Sequence, residues 1–123
     1  MLEILYEDNH IIAVNKQPSD IVQADKTGDE PLSEKVKKYI KKKYNKPGAV
    51  FLGVVHRIDR PVSGVIIFAK TSKALSRLNT LFREKKIKKT YLAIVKNKPS
   101  PTKNTLVHYL KKNNLKNKSS AFK

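Results

Sequence analysis

The chain has 123 residues, the size of one domain or part of one. Its 27 Lys and Arg against ten Asp and Glu give a formal charge of +17, and a hydrophobic share of 39% suffices for a modest core and is too high for a disordered polycation. The lack of cysteine excludes disulfide scaffolds, thiolate zinc sites, iron–sulfur clusters and thiol nucleophiles. No apolar run approaches the roughly 20 residues that span a bilayer. The acidic start Met1–Asp8 is unlike a signal peptide, so the expectation is a soluble, cytoplasmic protein with a polyanionic partner.

The charge is divided along the chain. Residues 1–34 hold eight acids and two bases, whereas residues 35–123 hold 25 bases and only two acids, Asp59 and Glu84. A field of that size concentrates polyphosphate, and with 23 Lys to four Arg it favours phosphate attraction over reading of base edges. The plainer alternative is a lysine surface that only keeps the protein in solution. Nucleic acid is preferred to an anionic membrane, because no segment pairs a broad apolar helical face with flanking aromatics.

Leu2–Glu7 and His10–Asn15 are β-type runs joined by Asp8-Asn9, which predicts an opening hairpin. Asp25–Pro31 reads as an acidic loop. Leu32, Val36, Ile40 and Tyr44 recur at spacing four and predict an amphipathic helix with one buried stripe, stopped at Asn45-Lys46-Pro47-Gly48. Ala49–Val55 and Val65–Ala69 are predicted strands either side of His56–Gly64. Ser72 is placed as the cap of a second helix carrying Ala74, Leu75, Leu78, Leu81 and Phe82. Thr90–Val95 and Thr105–Leu110 are further predicted strands, and residues 111–123 read as loop-like. The fold class expected is α+β, a mixed, largely antiparallel sheet with two flanking helices.

Several common sites are missing from the sequence. It has no glycine-rich phosphate loop and no Gly-x-Ser-x-Gly elbow, and its three histidines are isolated, with no cluster at metal-ligand spacing. Glu84, near the end of the second helix, fits an exposed partner for a lysine. Asp59 stands apart. It lies between Arg57 and Arg60, after one apolar run and before a Pro61–Gly64 turn leading to another. Flanking cations favour the ionised carboxylate, which suits a nucleophile or base. The alternative is a carboxylate that caps the turn and pairs with an arginine, and composition does not separate the two.

His56-Arg57-Ile58-Asp59-Arg60-Pro61-Val62-Ser63-Gly64, continuing into Val65–Thr71, resembles the His-Arg-Leu-Asp-x-x-Thr-Ser-Gly signature of RluA-type RNA pseudouridine synthases. Tyr6-Glu7-Asp8 with Asn15-Lys16-Gln17-Pro18 is similar to the family's opening strands and Lys-Pro turn. Lys89-Thr90-Tyr91-Leu92-Ala93-Ile94-Val95 is similar to its Lys-x-Tyr-x-Ala-x-Val strand. The three blocks stand in family order. Ile58 for Leu is a mild departure, and Val62 for Thr removes a hydroxyl and with it one hydrogen bond of the turn.

The resemblance implies an isomerase that breaks the uridine N1–C1′ bond, turns the base within the site and rejoins it through C5, without metal or cofactor. It implies that Asp59 is the catalytic nucleophile or base; attack on the sugar, attack on the ring and removal of a sugar proton stay open. It also implies that Arg57 helps expel the target nucleotide from its stack and that Tyr91 packs on the flipped uracil as a candidate proton acceptor. Arg57, Arg60 and Lys89 are assigned to RNA contact. His56 is read as a structural histidine at a strand end, and Lys16 with Pro18 as shaping the opening strands. The partner implied is ribosomal or transfer RNA, with no membrane.

The family's catalytic domain is longer. A later Gly-Arg-x-His-Gln-Ile-Arg-like segment and an N-terminal S4-type module have no counterpart in residues 1–123, so the expectation is one partial catalytic domain. Its unpaired sheet edge would be open to self-association. A basic RNA-binding fragment or degenerate paralogue without catalysis is the competing expectation.

Overall fold

The computed structural model describes all residues 1–123, which form two units, Met1–Lys89 and Thr90–Lys123. In the first unit, β1 (Ile4–Glu7) and β2 (Ile11–Lys16) make the expected hairpin. The Asp8 carboxylate accepts the backbone N–H groups of His10 (2.7 Å) and Ile11 (2.8 Å), which closes the turn locally. Helix α1 (Leu32–Tyr44) follows, then β3 (Gly53–Val54), β4 (Gly64–Ala69) and α2 (Ser72–Arg83). The sheet order is β1-β2-β4-β3 and every pairing in it is antiparallel.

The β2–β4 register sets Ile12 opposite Phe68 and Val14 opposite Ile66, so these four side chains share one face of the sheet. Val36 and Ile40 of α1 pack there, with Val22 and Leu32, and all eight are essentially inaccessible to water. Burial of each such side chain contributes about 2 kcal/mol. The α1 stripe is one residue shorter than its periodicity suggests, because Tyr44 lies beyond the sheet and is 48% exposed. Pro31 supplies no side-chain cap; the backbone carbonyls of Ile21 and Val22 instead accept the N–H groups of Leu32 (2.7 Å) and Ser33 (3.1 Å). Asn45, in the left-handed region at φ 50°, ends the helix as expected.

On α2 the cap is Thr71, not Ser72: its hydroxyl accepts the Ala74 N–H at 3.0 Å. The helix approaches β3 so closely that a Cβ on Gly53 would stand 2.7 Å from Leu75 Cδ1. Only Ala74 of α2 is fully buried, and Leu81 is exposed. The long buried strand expected over Ala49–Val55 shrinks to Gly53–Val54, with Phe51 exposed, because β3 is an edge with one neighbour and only two of its residues pair.

One polar knot ties β1, α1 and the end of β4. The Glu7 carboxylate accepts from Tyr39 (3.0 Å), Lys43 (2.9 Å), Tyr44 (2.8 Å) and Lys70 (2.6 Å), and its side chain is only 7% exposed. Burial alone would raise its pKa, but hydrogen bonds from Lys70, Lys43, Tyr44 and Tyr39 outweigh that and hold it at about 2. A carboxyl depressed below its unfolded value of 4.5 stabilises the fold above that pH and loses its contribution as pH falls towards 2. Glu7→Gln is therefore expected to cost about 2 kcal/mol near pH 7 and to flatten the loss of stability between these two pH values. Urea unfolding across a pH series reads both; an unchanged acid limb would refute the role assigned to Glu7.

In the second unit, β5 (Tyr109–Asn113) and β6 (Lys118–Phe122) form an antiparallel hairpin whose residues are all exposed. Three sequence expectations are corrected here. Thr90–Val95 is not a strand but irregular, exposed chain, since β-branched and aromatic residues form a strand only where a neighbouring strand pairs with them. The strand placed at Thr105–Leu110 starts only at Tyr109, and residues 111–123, read as loop-like, hold most of the hairpin. The Asn113 side chain accepts the N–H groups of Leu115 and Lys116, both at 3.1 Å, which builds the turn from local contacts that hydrophobic periodicity does not register.

Candidate functional site

The signature segment His56–Gly64 links β3 to β4, and Lys16 of β2, Phe82 of α2 and Asp29 of the acidic loop contact it. Ile58 packs partly against the core, while Arg57 and Asp59 on either side of it are exposed. The chain then turns: Val62 N–H donates to the Asp59 carbonyl at 3.0 Å. Gly64 closes the segment at φ 152°, which L side chains rarely adopt.

The anchor of this turn is Lys16, the last residue of β2. Ile12, Val14 and Lys16 alternate onto the same face, so an ammonium-bearing stem occupies a position where the pattern calls for an apolar side chain. Its exposure is 0%, and its Nζ donates to the backbone carbonyls of Gln17 (3.1 Å), Arg60 (2.9 Å) and Val62 (2.6 Å). Burial pushes the Lys16 pKa down, opposed by the charges of Asp20 and Asp59. Reading Lys16 only as a residue of the opening strands missed this crossing contact, although its inward parity in the sequence was the available signal.

Arg60 is also held. Its Nε donates to the Ser19 carbonyl (2.9 Å) and its guanidinium pairs with Asp29 (2.6 Å) in the acidic loop, while Ser19 N–H returns a bond to the Arg60 carbonyl (2.9 Å). Asp29, first among several acids, raises the Arg60 pKa further. Asp59 is different in kind, since its carboxylate takes part in no hydrogen bond and no ion pair, and Arg57 is equally unengaged. The arginine pairing that would make Asp59 a purely structural residue is absent, and the acid does not lie beneath packed hydrocarbon. The missing Thr hydroxyl at Val62 is not needed to close the turn, whose hydrogen bonds come from the backbone and Lys16.

His56 is the structural histidine the sequence suggests. Its Nε2 accepts the Ile67 N–H at 3.0 Å and its ring stacks on Phe82 of α2 at 5.0 Å between centroids. Burial, and then the charge of Lys89, lower its pKa and favour the neutral ring that this acceptor role requires. The contact also brings the last turn of α2 against the start of the signature. The structure thus gathers Arg57, Asp59 and Arg60 in one short segment, with Lys89 close enough for its charge to act on His56. Tyr91 belongs to the second unit and is exposed there.

A sequence profile of the family described as RNA pseudouridylate synthase matches residues 10–123. The ribosomal large subunit pseudouridine synthase C of Buchnera aphidicola subsp. Acyrthosiphon pisum is 47% identical over 92 residues, which are 75% of this chain and 27% of that protein. The protein of the same name from Escherichia coli K12 is 42% identical over 93 residues, 76% of this chain and 27% of the relative. The chain therefore spans about a quarter of the length of the curated relatives it matches. Among solved structures, human RNA Pseudouridylate Synthase Domain Containing 4 superposes with a TM-score of 0.58 at 21% identity, covering 68% of this chain and 30% of that one, and this likeness speaks for the fold. With the family profile covering most of its length, this chain belongs to the RNA pseudouridylate synthase family.

Proposed function

We propose that the protein is an RluA-type RNA pseudouridine synthase that isomerises uridine in ribosomal RNA, with Asp59 as the carboxylate that opens the reaction. The observation that carries this reading is the pairing of a fixed backbone with a free acid. Lys16 and Arg60 hold the turn, Lys16 through the turn's carbonyls and Arg60 through Ser19 and Asp29, while the Asp59 carboxylate stays unbonded and exposed. An ionised oxygen with no internal partner is available to attack carbon or accept a proton without first breaking an existing bond. Arg57, equally free, suits the stacking and phosphate contact needed to hold a nucleotide out of its helix. Tyr91, in its Lys-x-Tyr context, is assigned to the face of the flipped uracil, and Lys89 to RNA phosphate.

Ribosomal RNA is preferred to transfer RNA because the relatives with 42–47% identity carry ribosomal large subunit in their names. The bond changes balance without a co-reactant: N1–C1′ breaks, C5–C1′ forms, the C5 hydrogen leaves as a proton and N1 gains one. Tritium placed at C5 of uridine is therefore released to water once per turnover. The test incubates ribosomal transcripts labelled in this way with two proteins. One is this chain; the other is the E. coli relative with its matching 93-residue segment replaced by this chain's. Tritium release by the chimera, with pseudouridine in the digested product, is the expected result. A folded chimera that binds RNA and releases none would overturn the catalytic reading and leave a basic RNA-binding protein.

A further inference from the structure

The two helices of the first unit treat their cations in opposite ways. On α1, Lys35 pairs with Asp20 (3.0 Å), Lys37 with Glu34 (3.1 Å), Lys38 with Glu30 (2.5 Å) and Lys43 with Glu7 (2.9 Å), so the acidic N-terminal segment neutralises much of that helix. At the end of α2, Arg83, Lys85, Lys88 and Lys89 are exposed and none has an acidic partner; only Lys86 is paired, with Glu84. This end of the helix rests on the signature segment through the Phe82–His56 stack. Cations at a helix C-terminus also complement its dipole, which by itself would account for their presence.

The backbone of Lys85 supplies the second observation. Its N–H donates to the Phe82 carbonyl (3.1 Å) and the Lys86 N–H to the Leu81 carbonyl (2.9 Å), the two bonds of a Schellman ending with Lys85 at the left-handed position, φ 55°. Glycine is the residue that position favours, and Asn45 fills the equivalent place on α1. A long cationic side chain there gives up backbone stability and gains an ammonium with no acidic partner, three residues past the Phe82 that stacks on His56.

We infer that Arg83, Lys85 and Lys88 form a phosphate-binding track that carries the RNA strand from the end of α2 to Arg57 and Asp59. The assignment rests on the RNA reading given above and adds a surface to it. Lysine-rich contacts of this type hold the sugar–phosphate chain without reading its sequence.

Lys85→Gly separates the role of the charge from the role of the fold, because glycine relieves the left-handed backbone. Its thermal midpoint should be equal to or above that of the unsubstituted protein, while the salt dependence of binding to a single-stranded ribosomal fragment loses about 0.7 in log–log slope, one phosphate contact. Arg83→Ser with Lys85→Gly and Lys88→Ser should lose about 2 in slope and more than tenfold in affinity at 0.1 M salt. A charge-matched control replaces Lys41, Lys42 and Lys46, at the far end of α1, by serine and should lose much less. Equal losses in the two triple variants would show a diffuse effect of net charge and overturn the track, as would an unchanged slope in Lys85→Gly. Both results leave the RNA reading standing if the unsubstituted protein binds. Its failure to bind RNA, or binding of polyglutamate as tight as that of RNA, would remove the RNA reading and the track together.

Discussion

Asp59→Asn, tested in the chimera, is expected to lower tritium release at least about 10³-fold while leaving the thermal midpoint within about a degree of its parent. The separation of the two effects follows from the structure. The Asp59 side chain is exposed and makes no hydrogen bond or ion pair, so its replacement removes nothing that the fold uses. Only its backbone carbonyl holds the turn, through the Val62 N–H, and asparagine keeps that bond. What asparagine lacks is the ionised oxygen, the group able to attack carbon or take a proton at neutral pH. RNA affinity should change little, or rise slightly as an acid leaves a basic surface. An Asp59→Asn variant with near-parental turnover would end the assignment; one that fails to fold would show the acid to be structural after all.

Lys16→Met tests the scaffold under the acid, and its expected cost is about 3 kcal/mol, on the order of 10 °C in thermal midpoint for a protein of this size. Two effects compete. Removing a buried ammonium relieves its desolvation, and methionine fills most of the same volume with apolar atoms. Against this, three charge-assisted bonds to Gln17, Arg60 and Val62 are lost. The Arg60 and Gln17 carbonyls keep other donors, Ser19 N–H and Asp20 N–H, whereas that of Val62 is left without a partner. An ion-assisted bond contributes roughly 1.5–3 kcal/mol, so three of them exceed the relief.

On the proposed mechanism Lys16 acts by positioning the turn that bears Asp59, and a second measurement separates that role from simple stability. With the turn unhooked, kcat should fall by 10–100-fold at a temperature where the variant is folded, with KM for RNA changing less than threefold. A loss of stability with kcat intact would confine Lys16 to the core.

Much of this was legible along the chain. The opening hairpin, α1 with its stop at Asn45, β4, α2, and the segment bearing Asp59 all follow from periodicity, turn chemistry and the signature. These elements are set by interactions a few residues apart, which a linear sequence displays. The readings that failed share another cause. Thr90–Val95 has strand-forming residues but no strand beside it, Ala49–Val55 has only an edge to join, and Tyr44 continues the α1 stripe past the sheet it was meant to cover. In each case propensity carries no information on the neighbour that must complete it.

The site divides along the same line. Residue type and order alone marked Asp59 as a lone acid among cations, because charge pattern needs no coordinates. Which cation holds which acid was decided by the tertiary structure. Arg60, adjacent in sequence to Asp59, turns away to Asp29, 31 residues distant. Lys16, more than 40 residues away, buries its ammonium under the turn. Hydrogen bonds and ion pairs act over about 3 Å of space whatever the separation along the chain, so a folded backbone alone selects among the partners that composition makes available.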